Sequence, residues 1–233
     1  MKFFDYSKHA EAYSLLDIVD TYYLVYRDIP KIISKFVKGK KALDYGCGAG
    51  RSTRFLKNLG FDTVGVDISE KMINEAKKKD SSGRYSFIES DNLKIFEDNT
   101  FDFILSAMTF DSFFSKEDMI KISKEMKRVL KRRGVVINIT STPELYTRNW
   151  ASFICDFPEN KNAKNGDKVK VVVRGTDIAA FDHIWADKDY KEVFKRSGLK
   201  LIKIYKPLAK GDEPYKWINE TKIPPWFIYV LRK

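Results

Sequence analysis

Between residues 41 and 140 the chain repeats one rhythm, a short apolar run followed by a longer stretch of helical periodicity, and few folds accommodate it. The apolar runs fall at residues 41–45, 62–67, 85–89, 101–106 and 135–140. Runs of that length, separated by helix-length segments, predict parallel strands joined by crossover helices. The helices are marked at their ends. One opens after a glycine-rich loop and stops at Gly60, a residue suited to the left-handed turn that closes helices. Another starts after Ser69. A third starts at Ser115 with Asp118 three residues on, the spacing of a capping box. It places Met119, Ile122, Met126, Val129 and Leu130 on one face.

The flanks depart from this rhythm. Residues 1–40 read as helices rich in tyrosine (Tyr6, Tyr13, Tyr22, Tyr23, Tyr26). Residues 141–183 hold an aromatic stretch, a polar loop at 159–168 and a strand pair at 169–174 and 178–184. The rhythm resumes with a helix at 188–196, closed by Gly198, and strands at 200–206 and 227–231. Two final strands without a long helix between them predict an antiparallel last strand. The expected fold is α/β: a doubly wound, Rossmann-like, mostly parallel seven-stranded sheet with an N-terminal helical cover and an insertion after the fifth strand. Residues 1–40 would form the cover, 41–140 and 184–233 the core, and 141–183 a cap, within a single domain overall.

Composition narrows the function classes. Hydrophobic residues make up 43% and charged residues 32%, the balance of a globular protein. No apolar run reaches the roughly 18 residues of a membrane helix. The first residues turn acidic and polar too early for a signal peptide, so a cytoplasmic location and no membrane partner are expected. Two cysteines (Cys47, Cys155) and two well-separated histidines (His9, His183) make neither a disulfide framework nor a metal cluster, so no metal is expected. The net charge of +11 permits a nucleic-acid partner but does not favour one. Its lysines are spread out, and two of their three concentrations lie on helices interleaved with apolar residues, as on a solvated face.

The strongest local signal is Ala42-Leu43-Asp44-Tyr45-Gly46-Cys47-Gly48-Ala49-Gly50. A strand ends in an acid, glycines alternate through a tight turn, and a helix begins. A β-carbon there would hold the backbone away from a ligand. A dinucleotide site would place its third glycine where Arg51 stands, and no phosphate-loop lysine follows. Asp44 suits a ligand that carries an ammonium and a sulfonium better than it suits a pyrophosphate.

This D-x-G-x-G-x-G spacing resembles that of the class I S-adenosylmethionine methyltransferases. The order of later residues agrees. Asp67 ends the next strand, 23 residues after Asp44 (67 − 44). Phe87-Ile88-Glu89-Ser90-Asp91-Asn92-Leu93 resembles the family's third-strand loop, and Phe101–Ala107 its fourth strand. The resemblance implies S-adenosylmethionine as the methyl donor, with S-adenosylhomocysteine as product. It implies that Gly46, Gly48 and Gly50 cradle the donor beside Asp44 and that Asp67 accepts both ribose hydroxyls. Asp91, with Asn92, would read the adenine amino group, Ile68 and Leu93 would flank the base, and Ala107 would face the methionine moiety. Asp5 to Tyr13 is similar to the Y-x(6)-Y helix of the small-molecule "type 11" branch, so Tyr13 would fold over the donor, or else pack into the core.

Methyl transfer by in-line displacement needs alignment, exclusion of water and sometimes a base. Candidate bases are His183, otherwise a buried strand histidine, and Asp111, otherwise a turn or capping residue. Tyr6, Tyr146 and Trp150 are candidate acceptor contacts, with residues 141–183 either a lid or a shield for the sheet. Three functions compete: a small-molecule methyltransferase, an RNA methyltransferase and a non-catalytic donor-binding protein. The [DN]-P-P-[FYW] signature of exocyclic amino methylation is missing after the fourth strand, where Ala107-Met108-Thr109-Phe110 stands. If Asp67 holds the ribose, Asp67→Ala weakens donor binding by about 2–4 kcal/mol in calorimetry, and wild-type affinity in the variant contradicts the assignment.

Overall fold

The computed structural model describes residues 6–89 and 92–233. Ten strands form two sheets. The main sheet holds β1 (Lys41–Tyr45), β2 (Asp62–Asp67), β3 (Arg84–Phe87), β4 (Phe101–Ala107), β5 (Leu130–Ser141), β9 (Lys200–Tyr205) and β10 (Trp226–Arg232). The smaller holds β6 (Phe153–Ile154), β7 (Lys168–Val173) and β8 (Ala179–His183). The helices are α1 (Ala10–Ser14), α2 (Asp20–Phe36), α3 (Arg51–Asn58), α4 (Glu70–Lys79), α5 (Lys116–Val129), α6 (Pro158–Lys161) and α7 (Asp187–Ser197). Among them, none is long and apolar enough to cross a membrane.

The main sheet runs in the order β3-β2-β1-β4-β5-β10-β9, so the chain crosses over between β3 and β4, beside the first strand. Only β10 is reversed, pairing antiparallel with both β5 and β9. That satisfies the expected doubly wound sheet with an antiparallel last strand. In an open sheet of this kind, ligands bind outside the carboxyl ends of the strands where the order reverses. Alternation along the strands divides the core in two. Phe103, Leu105, Ile137, Ile139 and Ile228 face α2 and the smaller sheet. Leu43, Ile104, Val136, Phe227 and Tyr229 face α5 and α7.

Local chemistry sets the helix ends. Ser69 Oγ accepts from the Met72 amide at the start of α4, and Ser115 Oγ from the Asp118 amide at the start of α5. Gly60 and Gly198 close their helices with φ of 81° and 77°. The α5–β5 junction differs from the sequence reading. α5 stops at Val129, and Leu130 already pairs with Phe101; the ladder then skips to Val135 opposite Phe103. The intervening residues loop out, with Arg133 at φ 69°. The third strand of the smaller sheet, β6, is two residues long, too short to show a period.

A buried carboxylate ties the cover to the insertion. Glu220 is fully buried and accepts from Thr21 Oγ1 (2.7 Å) and from the amides of Ala151 (2.7 Å), Ile218 (2.8 Å) and Asn219 (3.0 Å). Thr21 and Ser152 exchange backbone-to-hydroxyl bonds beside it. Removing the acceptor strands several buried donors at once. Glu220→Ala should therefore lower the unfolding free energy by about 2–4 kcal/mol in urea denaturation, and an unchanged midpoint would show that these bonds do not hold the cover.

Candidate active site

The carboxyl ends of β1, β2, β4 and β5 open into a cavity of about 420 Å³, within the range of small-ligand sites. Its outer half is built by the glycine loop. Gly46, Gly48 and Gly50 all have positive φ (72°, 51° and 83°). A β-carbon on Gly46 would collide with Thr109, whereas one on Gly48 would meet no atom within 4 Å and would project into open space. The backbone at Gly48 thus leaves room for a ligand to approach. Asp67, at the end of β2, receives the Gly48 amide at Oδ2 (2.8 Å) and the Ser69 amide at Oδ1 (2.9 Å). Burial nevertheless pushes its carboxyl above the usual range.

Asp44 lies fully buried behind the loop and does not line the cavity. Its Oδ2 accepts from Ser52 Oγ (2.7 Å) and Thr53 Oγ1 (2.6 Å), which anchors the first turn of α3. Its Oδ1 has no hydrogen-bond partner among the described residues, and burial raises its carboxyl to about 6. Met108, after β4, lines the cavity with φ 60°, a left-handed conformation that side chains rarely adopt and that clusters at functional sites.

The inner half joins residues distant in sequence. Asp111, on the short turn after β4, accepts from the Ser141 amide (3.1 Å to each oxygen), Ser141 Oγ (2.8 Å) and the Tyr190 hydroxyl (3.2 Å). Asp182, on β8, accepts from the hydroxyls of Tyr6 (3.2 Å) and Tyr146 (3.3 Å). The Tyr6 hydroxyl also meets Ser112 Oγ at 2.9 Å. Burial and the facing Asp182 push Asp111 up to about 7, and burial pushes Asp182 up to about 6. The walls are aromatic. Tyr6 meets Tyr13 edge-on at 5.7 Å, and Tyr22, Phe153 and Trp226 pack together at 5.0–6.4 Å. Arg51 lies 4.1 Å from the centre of the Tyr22 ring.

Residues 43–138 match the family model described as "Methyltransferase domain", the type 11 model. A relative from Thermotoga maritima named demethylmenaquinone methyltransferase is 28% identical over 169 residues, 66% of this chain and 71% of that protein. A mouse relative named eEF1A lysine and N-terminal methyltransferase is 30% identical over 123 residues, 51% of this chain but only 18% of that protein. A solved structure from Methanosarcina mazei, described as a SAM-dependent methyltransferase, superposes with a TM-score of 0.65 at 19% identity, covering 87% of this chain and 96% of its own. Over residues 43–138 the chain is similar to the type 11 branch of the class I S-adenosylmethionine-dependent methyltransferases, and it shares the fold of solved members.

The outer half fits that family's donor on the chain's own evidence. The Gly48 backbone is open, the Asp67 carboxylate lines the wall, and Ile68 and Ile88 offer apolar faces. Of the residues expected there, Tyr13, Gly46, Gly48, Asp67, Ile68 and Ala107 line the cavity, as do Tyr6 and Asp111 from the acceptor set. Gly50 does not line the cavity, and a β-carbon there would collide with Tyr85 and Arg54. Asp91 lies outside the described residues. Asn92 caps its own loop, accepting the Lys94 amide, and does not line the cavity. Leu93 is fully buried in the core on the α5 side, with its amide on Glu125; Ile88 takes its place on the wall.

Three of the residues expected on the acceptor side do not line the cavity. His183 does not line the cavity: it is buried, with Nδ1 2.9 Å from the Gly166 carbonyl and its ring 4.2 Å from that of Phe114. Alternation along β8 turns Ala180 and Asp182 inward and His183 away. Trp150 is core, fully buried with Nε1 donating to the Leu145 carbonyl. Tyr146 lies behind the wall and reaches the site through its hydroxyl, which donates to Asp182. Sequence reasoning missed Asp182, Ser112 and Ser141, although Ile178-x-Ala180-x-Asp182 does carry the strand alternation that points Asp182 inward.

The raised carboxyls have a thermodynamic consequence. Both aspartates hold a proton more tightly in the folded protein than in the unfolded chain, where aspartate titrates near 3.9. The stability that this contributes is fully present below about pH 4 and is lost as pH rises through about 6–7. Unfolding free energies at pH 4.5 and pH 8 should therefore show wild type losing ground to the Asp111→Asn/Asp182→Asn double variant. A difference that does not change with pH would contradict the raised values.

Proposed function

We propose that this chain transfers a methyl group from S-adenosylmethionine to a small-molecule acceptor held in the inner half of the cavity, in the cytoplasm. The observation that carries the reading is the continuity of one cavity. It runs from Gly46, Gly48 and Asp67 to Asp111 and Asp182 and is lined on the cover side by Tyr6, Tyr13, Tyr22 and Tyr26. When bound, S-adenosylmethionine supplies a methyl group already activated on a sulfonium. The chain's own residues then have three tasks.

Asp67 offers a carboxylate to the ribose hydroxyls while its bonds to Gly48 and Ser69 fix its orientation. Ile68 and Ile88 offer apolar faces to the base, and in this reading Asp91 takes the adenine amino group. The N-terminal tyrosines exclude water, which aids displacement by removing competing nucleophiles and strengthening the remaining electrostatics. Asp111 and Asp182, held by neighbours from four elements, orient the acceptor, so that a bimolecular encounter becomes an aligned one.

A cavity of this volume admits a metabolite-sized ligand and not a folded macromolecule. The Thermotoga relative, whose name specifies demethylmenaquinone, supports a small acceptor; the mouse relative, whose name specifies lysine and N-terminal methylation, supports a protein one. The test is to incubate the protein with donor carrying a tritiated methyl and a cell extract, then to separate metabolites, RNA and protein. Label in the metabolite fraction is expected, and label confined to RNA or protein would overturn the small-acceptor reading.

A further inference from the structure

Among the described residues, four charged side chains line the cavity: Arg51, Asp67, Asp111 and Asp182. In a chain of net charge +11 the cavity is therefore acidic. Arg51 is engaged at the cover side, over Tyr22 and Tyr26 and against the Asp17 carbonyl. Asp67 is engaged by the loop amides. Asp111 and Asp182 differ. Every donor that reaches them among the described residues is neutral: Ser141 and Tyr190 on the first, Tyr6 and Tyr146 on the second. A pair of buried carboxylates solvated only by neutral donors lacks its counter-charge, and taking such groups out of water costs several kcal/mol per ion. The walls nearby carry the aromatic rings of Tyr6, Tyr13, Tyr22, Phe153 and Trp226, a type of side chain that attracts cations.

We propose that the acceptor is a cationic amine, whose ammonium supplies the missing charge between Asp111 and Asp182 and whose organic body lies against these rings. The proposal rests on the methyl-transfer reading above and names its substrate class. The pair sits apart from the donor residues. Asp67 ends β2, whereas Asp111 is bonded to the end of β5, three strand spacings away, roughly 14 Å. An ammonium nitrogen has no lone pair, so it must first pass a proton to a carboxylate, leaving a neutral amine and a carboxylic acid. Carboxyls raised to about 7 and about 6 are suited to hold that proton. The nitrogen lone pair then forms the new N–C bond as the donor's C–S bond breaks with its electrons on sulfur, giving the methylated ammonium and S-adenosylhomocysteine, and the carboxylic acid releases its proton to water when the product leaves.

The experiment uses benzylamine, which is cationic at neutral pH, its neutral isostere benzyl alcohol, and benzoate. Each is titrated calorimetrically into the full chain, with and without S-adenosylhomocysteine. Benzylamine should bind roughly tenfold tighter than the alcohol, and Asp111→Asn and Asp182→Asn should each remove most of that preference while leaving donor affinity unchanged. Equal binding of the alcohol, tighter binding of benzoate, or a preference that survives in the double variant would overturn the proposal. So would a loss of S-adenosylmethionine affinity as large as the loss of amine affinity, which would assign the pair to the donor. If wild type fails to bind S-adenosylhomocysteine, it is the donor reading that fails, and the titrations on the bare protein still decide the charge preference. The acceptor atom is read from the labelled metabolite: retention on a cation exchanger is expected, and labelled neutral ether or ester in the flow-through would overturn it.

Discussion

The Asp67 carboxylate, caught between the Gly48 and Ser69 amides, is the junction on which the site depends. It links the loop after β1 to the end of β2 and the start of α4, beside the Gly46 and Cys47 amides that donate to the Val66 carbonyl. The amides hold the carboxylate in place although burial penalises its charge. The same constraint explains the glycines. With Gly48 φ at 51° and its amide committed to Asp67, the loop must turn where a β-carbon would project toward the ligand. Asp44 completes the arrangement from behind, tying the loop to α3 through Ser52 and Thr53.

The inner half of the cavity is assembled differently. No local motif builds it; the turn after β4 and strand β8 carry the two carboxylates, and the N-terminal turn, the end of β5, the turn at Pro143–Thr147 and α7 donate to them. Tyr6 and Asp182 are 176 positions apart in sequence and meet through one hydroxyl. Such a site depends on the packing of the cover and of the smaller sheet against the core. Glu220, which binds Thr21 and Ala151, holds that packing at a distance from the cavity. The outer half of the cavity therefore rests on short-range geometry and the inner half on tertiary packing.

This difference also explains what could be read in the sequence. The parallel sheet, its reversed last strand and the glycine loop are local patterns, carried by strand and helix periods and by glycines at fixed spacing. Asp67 follows from its place at the end of a strand. The acceptor side is less legible because strand parity, rather than the chemical type of a side chain, decides which residues reach the cavity. His183 drew attention as a titratable ring, yet β8 turns it toward Phe114 and presents its neighbour Asp182 to the cavity. Trp150 suggested an acceptor contact through its size, but its indole is satisfied inside the insertion by Leu145. Leu93 was placed by analogy beside a base, while its burial with Glu125 and Arg128 draws it toward α5.

The central claim is that one cavity brings the donor's reactive end to the two buried carboxylates. The most direct measurement is a crystal structure of the protein grown with S-adenosylhomocysteine. The account predicts ribose hydroxyls on the Asp67 carboxylate and a thioether sulfur directed past Ala107 and Met108 toward Asp111 and Asp182. Electron density placing the product elsewhere, or turning its sulfur away from that pair, would contradict it.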